Sequence, residues 1–217
     1  MKNILFDHRA LLTFGLFLVI LTGCGGSPSS KFYQLAPLQN KASVTRDVSS
    51  EQSMVVSIGP VRIPDYLDRP QIVTRSGRNE LNLAEFNRWA GSLGDDVNRV
   101  LVEDVSSLLP ADRFFVVRWT PYIESQIPVS CKVELHLERF EGTLGDSMLL
   151  RAKWGVFGKE NRLLLKKESV ISEKMSGGSY DALVASMSNA LERLSRDIAD
   201  GIGSACPTGG ADKKIAP

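Results

Sequence analysis

The sequence predicts an α/β fold of the α+β kind, a single mixed, mostly antiparallel sheet covered by two long amphipathic helices. Three patterns carry this expectation. Apolar residues recur at helical spacing over 93–108 and again over 183–202, the signature of helices with one buried stripe. Strict apolar/polar alternation runs through 129–138 and continues in 147–157 and 163–171, the period of half-exposed strands. A β-branched, nearly continuous apolar run at 54–61 precedes the first helix, which is how a strand buried on both faces reads.

Taken in order, the chain opens with Lys2 and Arg9, an apolar stretch over 10–21, and then Leu21, Thr22, Gly23 and Cys24. About a dozen apolar residues fall short of the roughly 20 that a spanning helix needs, so residues 1–23 read as a signal peptide. Small residues before Cys24 fit cleavage ahead of a cysteine that already carries lipid, and two or three acyl chains anchor far more firmly than one. Cys24 is therefore the expected lipid attachment site, which places the rest of the chain outside the cytoplasm. With Gly25 rather than Asp behind the cysteine, delivery to the outer membrane is expected. Residues 24–53 then hold the lipidated cysteine, a Gly/Ser/Pro spacer, a short strand at 31–36 and a polar linker, and the folded domain is expected over 54–206.

Within that domain, Pro60 and Pro64 are expected to end the 54–61 strand. Segments 71–76 and 80–84, separated by Gly77, Arg78 and Asn79, read as a hairpin. The helix over 93–108 has Ser92 as candidate N-cap, Asp95 and Asp96 in its first turn, and Pro110 beyond its end. A strand at 114–119 follows, and a helix between it and the 54–61 strand calls for a right-handed parallel crossover. The three alternating strands, joined by turns at 142–145 and 158–161, form an antiparallel meander. The last helix has Ser179 before it and Gly203 after it, and the polar tail 207–217 is expected to be disordered.

Composition narrows the chemistry. Beyond residue 23 the basic and acidic side chains balance, so the phosphate-neutralising term that drives nucleic-acid binding is missing. The one histidine left, His136, lies on the polar side of a strand without cysteine or histidine at ligand spacing, and no metal or cofactor site is expected. Gly145, Asp146, Ser147 and Met148 imitate the Gly-Asp-Ser block of GDSL-type esterases. No histidine follows them to activate the serine, and they read as a hairpin turn. Cys131 and Cys206 form an even pair in an oxidising compartment, so a disulfide and a buried free cysteine at 131 both stay open.

The densest information lies in residues 59–75, GPVRIPDYLDRPQIVTR. Three prolines fix backbone angles and leave Arg62, Asp65, Tyr66, Asp68 and Arg69 displayed on a stiffened segment. A carboxylate pair for acid catalysis is disfavoured, because neighbouring arginines lower carboxylate pKa values. Two readings remain: a structural crossover closed by Asp/Arg pairs, or a rigid protein-contact loop.

This segment, with FYQL at 32–35, NELNLAEFNRWA at 79–90 and the C-terminal helix, resembles the PqiC/YmbA family of ABC-type transport auxiliary lipoproteins across essentially the whole mature domain. The resemblance implies a fold like the TolB N-terminal domain and a non-enzymatic outer-membrane lipoprotein facing the periplasm. It further implies an MCE-domain protein as partner in lipid movement between membranes, and a ring-like homo-oligomer. The contact residues are then expected at Arg62, Asp65, Tyr66, Asp68, Arg69 and Trp89. The alternative is a lipid carrier with an apolar pocket between sheet and helices, which the strict alternation of the meander disfavours.

Overall fold

The computed structural model describes residues 29–38 and 53–206. The chain divides into two units, Met1–Ser30 and Lys31–Pro217, and of the first only Ser29 and Ser30 are among the described residues. Eight strands in the second unit make one mixed sheet: β1 Lys31–Tyr33, β2 Met54–Arg62, β3 Gln71–Arg75, β4 Leu81–Trp89, β5 Phe114–Arg118, β6 Cys131–Gly142, β7 Ser147–Phe157 and β8 Leu163–Lys174. The helices are α1 Leu93–Leu108, the short α2 Pro121–Gln126 and α3 Tyr180–Ala205.

The meander β6–β7–β8 supplies the long antiparallel pairings. The free edge of β6 is shared by two parallel neighbours. β2 takes its first half, from the Val56 and Cys131 pair onward, and β3 meets it at the Thr74 and Gly142 pair. β5 extends the sheet parallel to β2, as the α1 crossover requires. β3 and β4 form the hairpin, and β1 adds in parallel to β4. β1 therefore belongs to the sheet, and the folded body begins earlier than residue 54.

Both long helices start as their sequences dictate. The Ser92 hydroxyl accepts from the Asp95 N–H at 3.3 Å and the Ser179 hydroxyl from the Ala182 N–H at 3.1 Å, each satisfying an orphan donor of the first turn. α3 runs past Gly203 to Ala205. α1 packs on β2 and β5, α3 packs on β6, β7 and β8, and the helices touch each other, so both cover the same face. The core between them is filled by Val97, Leu101, Leu135, Leu137, Phe140, Leu150, Trp154, Leu191, Leu194 and Ile198, all fully or almost fully buried.

After β1 the chain lies against both helices. The Leu35 N–H donates to Asp96 at 2.7 Å, the Ala36 N–H to Ser188 at 3.1 Å and the Leu38 N–H to Asp104 at 2.7 Å, while Arg99 donates to the Leu35 carbonyl. The Leu35 side chain is buried.

Pro60 does not end β2. The strand runs on to Arg62; the Gly59–Pro60 bond is cis, and the ladder to β6 shifts register between Ile58 and Val61. A proline lacks the N–H that a ladder needs and is tolerated at such a bulge. Gly59 has a φ of +123°, and a Cβ there would meet the Asn98 amide at 2.9 Å and Trp119 Cβ at 3.2 Å. The turn between β6 and β7 holds Gly145 at φ +79°, and the Asp146 N–H donates to the Thr143 carbonyl at 3.1 Å. Its Gly-Asp-Ser sequence is turn chemistry.

Candidate partner-binding face

The sheet face turned away from the helices carries the candidate site. On β6, Leu135 and Leu137 point into the core. Glu134 and His136 point outward, and after a register shift between Leu137 and Arg139 so do Arg139 and Glu141. Arg62, the last residue of β2, pairs in register with His136. The chain then turns over this face: the Leu67 N–H donates to the Pro64 carbonyl at 2.9 Å, and the Trp89 N–H donates to the Pro70 carbonyl at 2.8 Å. Leu67 is buried, so a segment with prolines at 64 and 70 is pinned in its middle.

A fully buried carboxylate fastens the loop. Glu141 accepts from the Tyr66 hydroxyl at 2.8 Å, from Arg75 Nε at 3.1 Å and from Arg139 Nε at 2.9 Å. It also accepts from the Phe140 N–H at 3.0 Å. Two arginines and two further donors offset the desolvation of one buried anion, the arrangement such burial needs. Burial, followed by the hydrogen bond to Glu141, pushes the Tyr66 hydroxyl above its ordinary pKa. Sequence reasoning placed Tyr66 on a contact surface and missed Glu141. Simple alternation from Leu137 would turn Glu141 inward; the register shift after Leu137 sets it on the outer face, and what buries it comes from 75 residues earlier in the chain.

The other polar residues of the loop are arranged differently. Arg62, Asp65 and Asp68 are exposed and Arg69 is half-buried. Among the described residues none of these four side chains forms an ion pair or hydrogen bond, and the Arg69 Nε is buried without a partner. Closure by Asp/Arg pairs, one of the two readings of this segment, is therefore not how the loop is held; Tyr66 and Leu67 hold it. Asp68 borders a cleft of about 490 Å³ that also involves Asp95, Asn98 and Arg118 near the start of α1. Trp89, expected as a contact residue, is 5% exposed and packs in the core beside Tyr33, its register partner on β1.

Cys131, at the start of β6, lies beside Cys206 at the C-cap of α3, with their Cα atoms 6.3 Å apart, inside the span of a disulfide. Cys24 lies outside the described residues. Among the described residues no group of three or more His, Cys, Asp or Glu could hold a metal ion, and no helix is long and apolar enough to cross a membrane.

Fold and site together define an α/β domain with a filled core, whose outer face presents a fastened loop rich in unpaired charge. The chain belongs to the family of ABC-type transport auxiliary lipoprotein components, whose model matches residues 33–199. It is 24% identical over 183 residues to the intermembrane transport lipoprotein PqiC of Escherichia coli (strain K12), covering 84% of this chain and 91% of that protein. The match to PqiC of Shigella flexneri has the same extent. Among solved structures, an uncharacterized protein shares the fold with a TM-score of 0.65 at 21% identity, covering 81% of this chain and 99% of its own. A protein from Xanthomonas campestris does so with a TM-score of 0.61 at 16% identity, covering 80% and 94%.

Proposed function

We propose that this protein is a non-enzymatic adaptor of a lipid transport system between inner and outer membranes. In this reading the lipid on Cys24 holds it at the outer membrane, facing the periplasm. The loop over residues 62–69 contacts an MCE-domain protein of an ABC-type or paraquat-inducible transporter, and identical copies assemble as a ring. The carrying observation is the contrast inside the loop: Tyr66 is spent on a buried carboxylate, while Arg62, Asp65, Asp68 and Arg69 have no side-chain partner among the described residues. Charges held on a stiff segment cost little ordering entropy on binding and select a partner by complementarity. The PqiC relatives are intermembrane transport lipoproteins, which supports this reading. The core filled by Phe140, Leu150, Trp154 and Leu194 speaks against a carrier with an acyl pocket between sheet and helices.

The test is co-purification of the full, lipidated protein with the MCE protein encoded beside it. Arg62→Glu and Asp68→Lys together should weaken capture by about 1 kcal/mol or more, while exposed substitutions leave stability within about 0.5 kcal/mol. Unchanged capture by a normally folded double variant would sink the contact-loop assignment.

A further inference from the structure

Beside the loop, the same face holds a second feature that the adaptor reading does not use. A cleft of about 310 Å³ is bordered by Arg62 of β2, Glu134 and His136 of β6, Lys153, Gly155 and Phe157 of β7, and Leu163 and Lys166 of β8. Its charge is lopsided. Arg62 and Lys166 make no ion pair among the described residues, whereas Glu134, its one carboxylate, is bound by Lys132 at 2.9 Å. Lys153 is held by Glu138, which keeps the lysine above and the glutamate below their ordinary pKa values. Opposite the cations the wall is apolar: Phe157, Pro60 and Leu163, the last 51% exposed.

Gly155 makes the floor. Arg151, Lys153 and Gly155 alternate on the outward side of β7, and a Cβ on Gly155 would come within 3.2 Å of the Phe157 ring and 3.3 Å of Leu163. Any side chain there would rise into the cleft, so glycine keeps it open.

We infer that this cleft binds an acidic segment of a partner protein, its carboxylates meeting Arg62 on the β2 side and Lys166 on the β8 side, with an adjoining apolar side chain on Phe157 and Leu163. The inference rests on the adaptor reading, because Arg62 is shared with the contact loop, and it names the chemistry that the partner brings. A protein segment fits better than a lipid: the volume lies at the small end for a ligand site. A headgroup would occupy only the cationic end and leave its chains along a face studded with Arg151, Lys153 and Glu168.

The experiment measures fluorescence anisotropy of a fluorescein-labelled peptide of alternating glutamate and leucine, titrated with the full-length protein at low salt. Saturable binding is expected, weakened about tenfold by Lys166→Glu, weakened also by Gly155→Ala, and unaffected by Arg151→Glu, which changes a charge on the same face away from the cleft. Equal loss with Arg151→Glu, or indifference to both cleft variants, overturns the proposal. So does Lys166-dependent binding of phosphatidylglycerol vesicles in place of the peptide. The melting temperature of Gly155→Ala identifies any loss that is merely unfolding, and Lys166→Glu, an exposed change, keeps the test decisive. Asp65→Lys with Asp68→Lys alters the loop and leaves both cleft cations in place, so unchanged MCE capture by that variant together with intact peptide binding would leave this cleft standing and remove the contact loop.

Discussion

At the scale of single residues, burial separates side chains that hold the loop from those that project from it. Removing Glu141 leaves Arg75, Arg139 and the Tyr66 hydroxyl without their common acceptor, so Glu141→Ala should cost about 3–5 kcal/mol. Tyr66→Phe, losing one bond to a charged group, should cost about 1.5–3 kcal/mol. Urea unfolding of both variants checks this; a Tyr66→Phe protein as stable as its parent would show that the loop is held by other means. Asp104 gives a pH-dependent case. Burial raises its pKa from 3.8, opposed by the hydrogen bonds from Leu38 and Ser195. The folded state therefore binds this proton more tightly than the unfolded chain. That contribution is complete below the ordinary carboxylate pKa and is lost as pH rises through the raised value. Asp104→Asn should flatten the fall in stability above pH 3.8, and an unchanged slope in a pH series of urea melts would contradict the assignment. The sequence told which residues are charged, and it could not tell which polar groups meet, because Tyr66 and Glu141 are brought together only when the loop folds over the assembled sheet.

At the scale of elements, legibility followed period and local chemistry. The α1 and α3 stripes, their serine caps, the β3/β4 hairpin and the β6–β7–β8 meander are all short-range patterns, and each is present in the structure. What escaped was set by tertiary context. β2 continues through Pro60 by means of a bulge, and Trp89, expected as a contact residue, is core because β1 lies alongside it. α2 was missed although Thr120 caps it and Pro121 opens it, since six residues are too few to show a period. The contact between α3 and the start of β6 carries its own prediction. Cys131 and Cys206 lie 75 residues apart in sequence, and a bridge between them should add about 2–4 kcal/mol by restricting the unfolded chain. Thiol labelling of unreduced, denatured protein should find neither cysteine reactive; two labelled thiols would end the idea.

For the whole molecule, the prediction concerns location. Cys24→Ala should block lipidation and leave a soluble or uncleaved precursor in place of the outer-membrane form, and Gly25→Asp should shift the protein toward the inner membrane. Outer-membrane fractionation of Cys24→Ala identical to the parent would refute the anchor. The attachment of the N-terminal chain to the body adds a mechanical consequence. Any pull arriving through Ser30 reaches first a three-residue ladder and then Leu35, whose backbone is gripped by Asp96 and Arg99 of α1. The next grips, at Ala36 and Leu38, belong to α3 through Ser188 and to α1 through Asp104. Load is thus divided between the two helices before it can reach β2, so peeling away β1 would lengthen the leash by a few residues and meet those grips next.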